Sequence, residues 1–286
     1  MSLVLDTLVR RARRQPNDIV VTDGLAPLSC LDLWLEVVKL STKLVLLEIG
    51  PGPIAFCLEN SPRWVVLDLA LTKLGRLSVP LPVAFTEAQR HQALTQAGAV
   101  LLITEQPSPN DAGCERIMLL GRALYLQARD AVPVALPADT AKIIFSLGTT
   151  DQPKGVCLSQ AELERVALSL VEAIGKDYAG THRAVPPLAI LLENVAGLYP
   201  TLLAGGCYHV PPPASFGLAR PSAPDFDMLA GALAENAAPS TILNPELLRG
   251  LLTALTDQGI GLPTMFVLLA DAFRSIPPRS DEAYVA

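Results

Sequence analysis

Phe145-Ser146-Leu147-Gly148-Thr149-Thr150-Asp151-Gln152-Pro153-Lys154-Gly155-Val156 packs glycines, hydroxyls and one lysine into a single short stretch. A phosphate needs backbone N–H groups that can come close, short hydroxyl donors and a mobile cation. Gly148, Thr149, Thr150, Lys154 and Gly155, with Ser146 ahead of them, supply all three. The order is not that of a Walker loop, because the lysine precedes its glycine and no Ser or Thr follows it. The alternative is an ordinary Gly/Pro/Thr surface turn. Gly-Thr-Thr followed by Pro-Lys-Gly-Val behind an apolar lead-in is a more demanding pattern than such a turn requires.

That lead-in, Ala141-Lys142-Ile143-Ile144, predicts a strand that delivers the loop. Ahead of it, compact apolar runs alternate with capped helical segments. Strands are predicted at Ile54–Leu58, Leu77–Leu81, Ala99–Ile103 and Lys142–Ser146. Helices are predicted before Pro16, over 31–47, from Asn60 or Ser61 with Pro62 in the first turn, and from Thr86 over 87–96. Strand and helix alternating over short connections calls for largely parallel sheets and an α/β fold. After the loop, Ser159 with Glu162 forms a capping box for a helix through Ala173. The segment 195–204 reads as a short helix stopped at Gly205-Gly206. The expected division is a first α/β subdomain over 1–165, ending in the loop, and a second, incomplete one over 166–286.

The loop resembles the phosphate loop of the adenylate-forming superfamily, which includes acyl-CoA synthetases, luciferases and peptide-synthetase adenylation domains. Phe145, Gly148, Thr149, Thr150, Pro153, Lys154, Gly155 and Val156 match that motif; Ser146 stands for Thr, and Leu147 and Asp151 depart from Ser and Gly. Upstream, Glu59-Asn60-Ser61-Pro62-Arg63-Trp64 and Leu74-Gly75-Arg76-Leu77-Ser78-Val79-Pro80-Leu81 resemble two further family segments in the same order. The resemblance implies layered parallel-sheet subdomains with flanking helices. It implies ATP and Mg2+ as cofactors, a carboxylic acid (fatty acids included) as substrate, and activation to an acyl-adenylate. Transfer to coenzyme A or a carrier thiol would follow. Ser146, Gly148, Thr149, Thr150, Lys154 and Gly155 would hold nucleotide phosphates, and Glu193, Asn194 and Gly197 would border the acyl pocket. The family's Y-G-x-T-E motif, ribose-binding aspartate, hinge arginine and C-terminal lysine have no counterpart in these residues. The expectation is therefore the N-terminal portion of an acyl-activating ligase, inactive by itself and lacking a C-terminal half or partner subunit. With a carboxylate at Asp151, ATP binding should be weak. The alternative is a non-catalytic adenylate-forming-like module that binds an acyl group, a nucleotide or a protein.

Composition agrees with a folded α/β chain. Of 286 residues, half are apolar and 17% charged, which excludes a disordered class. Net charge is −6 and the sequence pI about 5.1, so no basic field draws the chain to nucleic acid. Cys30, Cys57, Cys114, Cys157 and Cys207 are scattered without a C-x-x-C pair, which favours reduced thiols and a cytoplasmic location. His91, His182 and His209 are dispersed as well, and no metal site is read from them. The most apolar stretch, 185–210, contains Glu193 and Pro200. A central charge costs about 2.5–3.5 kcal/mol on insertion, so buried core is expected there and no membrane span.

Overall fold

The computed structural model describes residues 2–107, 114–147, 152–219, 223–235, 238–261, 266–269 and 284–285. Ser2 caps α1 (Leu3–Arg14), which turns Val4, Leu5 and Leu8 inward. The antiparallel strands β1 (Ile19–Thr22) and β2 (Leu28–Ser29) follow. In their turn Asp23 Oδ1 accepts from the Leu25 and Ala26 backbone, while Gly24 takes a φ of 90° that its missing side chain permits. α2 (Cys30–Leu46) opens on a capping box between Ser29 and Asp32.

The predicted alternation then appears in order: β3 (Ile54–Cys57), α3 (Pro62–Lys73), β4 (Ser78–Pro80), α4 (Glu87–Gln96) and β5 (Leu101–Thr104). Ser61, not Asn60, caps α3, and Thr86 caps α4. A β-hairpin follows, made of β6 (Glu115–Leu119) and β7 (Arg122–Ala128), with β7 antiparallel beside β5. β8 (Thr140–Leu147) and β9 (Pro153–Ser159) come next, and Ser159 with Glu162 caps α5 (Gln160–Tyr178). Beyond lie β10 (Thr181–Arg183), a π-helical segment Glu193–Leu198 and α6 (Tyr199–Ala204), which ends at left-handed Gly205. β11 (Cys207–His209), α7 (Phe226–Glu235), β12 (Ser240–Leu243), α8 (Pro245–Gln258), β13 (Phe266–Leu269) and β14 (Tyr284–Val285) complete the described elements.

These strands make two sheets. One runs β14-β9-β8-β4-β3-β5-β7-β6, and its four central strands are the four predicted ones, mutually parallel. Along β3 the side chains alternate: Ile54 and Phe56 join the core containing α2 and α3, and Ala55 joins that containing α4. The helices therefore cover opposite faces. The other sheet runs β13-β12-β10-β11-β1-β2 and is parallel from β13 to β1. Strands of the first 165 residues are thus shared between both sheets, because β1 inserts its Val20–Val21 core beside β11. Of the apolar stretch 185–210, only part is helical, and among the described residues no helix is long and apolar enough to cross a membrane. No cysteine is joined in a disulfide among the described residues.

Candidate functional site

β8 and β9 form an antiparallel hairpin with Phe145 opposite Gly155, Ser146 opposite Lys154 and Leu147 opposite Pro153. Directly opposed residues share a face, so exposed Ser146 and exposed Lys154 stand side by side at the mouth of the loop. Gly148, Thr149, Thr150 and Asp151 lie outside the described residues. Gly155 has a packing reason of its own: a Cβ there would come within 3.0 Å of both the Phe145 ring and Ile143 Cγ2. Because β8 runs parallel to β4, the loop leaves from the carboxyl ends of the parallel strands, the side of an open α/β sheet where ligands bind.

The same side meets the second sheet. After β3, Asn60 donates through Nδ2 to Pro186 O at 2.8 Å and accepts at Oδ1 from Leu188 N at 2.7 Å. It thereby pins the chain leaving β10 onto the carboxyl end of β3. That chain leads into the π-helical segment, whose extra residue per turn often marks a functional position. There Glu193, Asn194 and Gly197 do come together, but as buried core: both polar side chains are 0% exposed.

Each belongs to its own network. On the first sheet's side, Lys142 Nζ donates to Asp68 Oδ1 (2.6 Å), Asn194 Oδ1 (2.8 Å) and Tyr199 OH (3.0 Å). Tyr199 OH donates to Asp68 Oδ2 at 2.9 Å, and the ammonium lies 5.1 Å from the Tyr199 ring centroid and 5.9 Å from that of Trp64. Burial pushes the Lys142 pKa down, and Asp68 opposes that shift; burial, then Asp68, pushes the Tyr199 hydroxyl up. On the second sheet's side, Glu193 Oε1 accepts from Tyr208 OH at 2.7 Å and lies 3.2 Å from His182 Nε2. The other nitrogen, His182 Nδ1, lies 2.9 Å from Ser240 Oγ. Tyr208 is raised by burial and by Glu193, as is Tyr178, whose hydroxyl donates to Ala196 O. Ser240, His182 and Glu193 stand in the order of a nucleophile, base and carboxylate relay. At no more than 1% exposure each, they are closed to solvent in this structure, and their contacts are those of a packed network. Within these two networks, Glu193 Oε2 and Asn194 Nδ2 have no partner among the described residues.

Lys142, Asp68, Tyr199, His182 and Tyr208 were not among the expected site residues. Their signal was available for two of them: Lys142 interrupts a strand beside Ile143-Ile144, and Asp68 sits within Val65-Val66-Leu67 and Leu69-Ala70-Leu71. A lone charge inside an apolar run needs a buried partner. A cavity of about 240 Å³ between α2, β3 and the chain after α3, lined by Leu44, Ile54, Leu74 and Arg76, lies at the amino end of β3, opposite the loop. No group of three His, Cys, Asp or Glu among the described residues could hold a metal ion.

Comparison with known proteins follows the same lines. A family model described as AMP-binding enzyme matches residues 8–263. Nonribosomal peptide synthetase valB of Aspergillus terreus is 31% identical over 219 residues, covering 73% of this chain and 8% of that protein. Gramicidin S synthase 2 of Brevibacillus brevis is 27% identical over 176 residues, covering 58% of this chain and 4% of that protein. The chain thus spans less than a tenth of these curated relatives. Among solved structures, the Klebsiella oxytoca NpsA N-terminal subdomain in complex with 3-hydroxybenzoyl-AMSN superposes with TM-score 0.68 at 22% identity, over 90% of this chain and 64% of that one. O-succinylbenzoate coenzyme A synthetase (MenE) from Bacillus subtilis, in complex with AMP, gives TM-score 0.67 at 17% identity, over 92% of this chain and 67% of that one. At those identities the likeness is one of fold.

Proposed function

The chain belongs to the AMP-binding enzyme family, and on that premise we propose that it is the N-terminal portion of an AMP-forming, acyl-activating ligase. The whole reaction would join a carboxylate to ATP as an acyl-adenylate and pass the acyl group to a thiol. The peptide synthetases among the relatives favour a carrier thiol over coenzyme A, and a fatty acid is only one of the acids such chemistry accepts. The observation that carries the reading is the β8–β9 hairpin. It pairs Ser146 with Lys154 beside the Gly-Thr-Thr loop, at the carboxyl ends of parallel strands. One hydroxyl and one cation on an open face suit a polyphosphate. ATP, when bound, supplies the phosphorus electrophile and the pyrophosphate leaving group, with Mg2+ offsetting phosphate charge. Lys154 and Ser146 would hold the phosphates, with Gly148, Thr149, Thr150 and Gly155 as the rest of that loop. Glu193, Asn194 and Gly197 would border the acyl site.

A non-catalytic binding module is the second reading, and the residues that favour it are Leu147 and Asp151, a lost hydroxyl and an added carboxylate in the loop. Titration calorimetry with MgATP tests both. The chain should bind weakly, and Leu147→Ser with Asp151→Gly should tighten binding about tenfold, or about 1.4 kcal/mol. Tight binding by the unaltered chain, or no gain in a folded double variant, would remove the loop as the phosphate site. Carboxylate-dependent ATP–pyrophosphate exchange by the chain alone should be undetectable, since losing even one transition-state donor costs about 10²–10³ in rate.

A further inference from the structure

We propose that Lys142 is a positioning residue that sets the polarity of the acyl site by fixing the Asn194 amide, carbonyl inward and NH2 outward, so that this position reads an acceptor on the acid. The inference rests on the reading that the π-helical segment borders the acyl site.

A lysine ammonium carries three N–H donors and no acceptor. Lys142 uses all three, on Asp68 Oδ1, Asn194 Oδ1 and Tyr199 OH. The atom of Asn194 that faces it must therefore be the carbonyl oxygen, and an inverted amide would set NH2 against ammonium. No other member of the cluster can relax this. Tyr199 OH spends its hydrogen on Asp68 Oδ2, so only its lone pair is left for Lys142. The carboxylate is committed at both oxygens. The chain of roles ends at Asn194 Nδ2, two N–H groups fully buried and without a partner among the described residues. A buried donor left unmade is expensive, and native proteins keep few of them without a ligand, water or functional reason.

The consequence is a sign. Asn194 offers a donor, so a hydroxyl, ether or carbonyl oxygen or a ring nitrogen on the substrate gains there, and an ammonium gains nothing from it. Glu193 Oε2 is the second unpartnered atom, one residue earlier on the side of His182 and Tyr208, and it is an acceptor. A hydroxyl can both donate and accept and so suits the two residues together; an ammonium suits Glu193 alone.

The full chain is titrated with N-acylsulfamoyl adenosines, stable mimics of an acyl-adenylate. The acyl groups are benzoyl and its hydroxy and aminomethyl derivatives at each ring position. The best hydroxy compound should bind about tenfold tighter than its aminomethyl counterpart. That ratio is internal to each protein, so a change in stability alone does not move it. In Asn194→Leu the ratio should fall to about one. In Asp68→Leu with Lys142→Met, which exchanges the buried pair for apolar side chains, the amide is free to turn and the ratio should also collapse toward one. If Asn194→Leu keeps the ratio, or no compound binds the parent chain, the acyl-site reading falls and this inference with it. If Asn194→Leu abolishes the preference while the folded Asp68→Leu/Lys142→Met variant keeps it, Asn194 reads the substrate but Lys142 does not orient it.

Discussion

Replacing Gly197 with alanine drives a methyl group into Glu193 Oε1 and to 2.9 Å from His182 Nε2. Neither atom is the loose end of a surface side chain, since both residues are at most 1% exposed. If the carboxylate stays, the overlap is absorbed by shifting the π-helical segment, an overpacking strain of about 1–3 kcal/mol. If it swings away, it forfeits the 2.7 Å bond from Tyr208 or the 3.2 Å contact with His182, and a hydrogen bond to a charged group is worth about 1.5–3 kcal/mol. Alanine returns about 1 kcal/mol through its better helix propensity. The variant should therefore lose up to about 2 kcal/mol net, read as a lower midpoint in urea unfolding with an unchanged slope. Gly231, in α7 with no atom within 4 Å of its would-be Cβ, is the control. Gly231→Ala should gain about 0.5–1 kcal/mol. If Gly197→Ala matches the parent while Gly231→Ala behaves as expected, Glu193 has room to move and its network does not fix the segment.

Lys142→Met should cost about 3–5 kcal/mol by stranding Asp68 in the core, and adding Asp68→Leu should restore most of it; urea unfolding of both reads the difference. Ser159→Ala removes the cap of α5 and should cost about 1 kcal/mol by the same measurement. Burial, aided by Arg183, lowers the His209 pKa from 6.5 to about 4, so the folded chain refuses a proton that the unfolded chain accepts. The stability this contributes is complete above pH 6.5 and is lost as pH falls toward 4, by about 1–2 kcal/mol after allowance for solvent screening. The unfolding midpoint of the parent minus that of His209→Asn, followed from pH 7 to 4, should decline through this window. A flat difference would refute it.

The four parallel strands were legible because each is a compact apolar run that both sheet faces bury, and the caps of α3, α4 and α5 were legible because Ser and Thr stand one residue ahead of each. The β6–β7 hairpin was not. β6 buries only Ile117 and Leu119, too few positions to separate a half-exposed edge strand from a loop. The partition into two sheets was equally hidden, since β1 finds its partner β11 at a distance no local pattern encodes. At the site, Glu193, Asn194 and Gly197 were read as neighbours because they follow one another. What holds them was out of reach, since Asp68, Lys142 and Tyr208 converge from three other elements. A π turn carries no spacing signal, because its extra residue shows only in which carbonyl each N–H selects, here Tyr199 N on Asn194 O.

The pairing of β1 with β11 also has a history in time. Val21 lies beside Tyr208 in the finished sheet, so the ribosome must add roughly 190 residues after β1 emerges before its neighbour exists. At about 5–20 residues per second that is a wait on the order of 10–40 s. Throughout it, Val20 and Val21 have only the two-residue β2 beside them, and α1 lacks α6, against which it will pack. The nascent chain can complete the β3–β5 layer early while its own first thirty residues stay adhesive. A holdase that recognises short apolar strands would find its target in β1 and release it only as β11 appears.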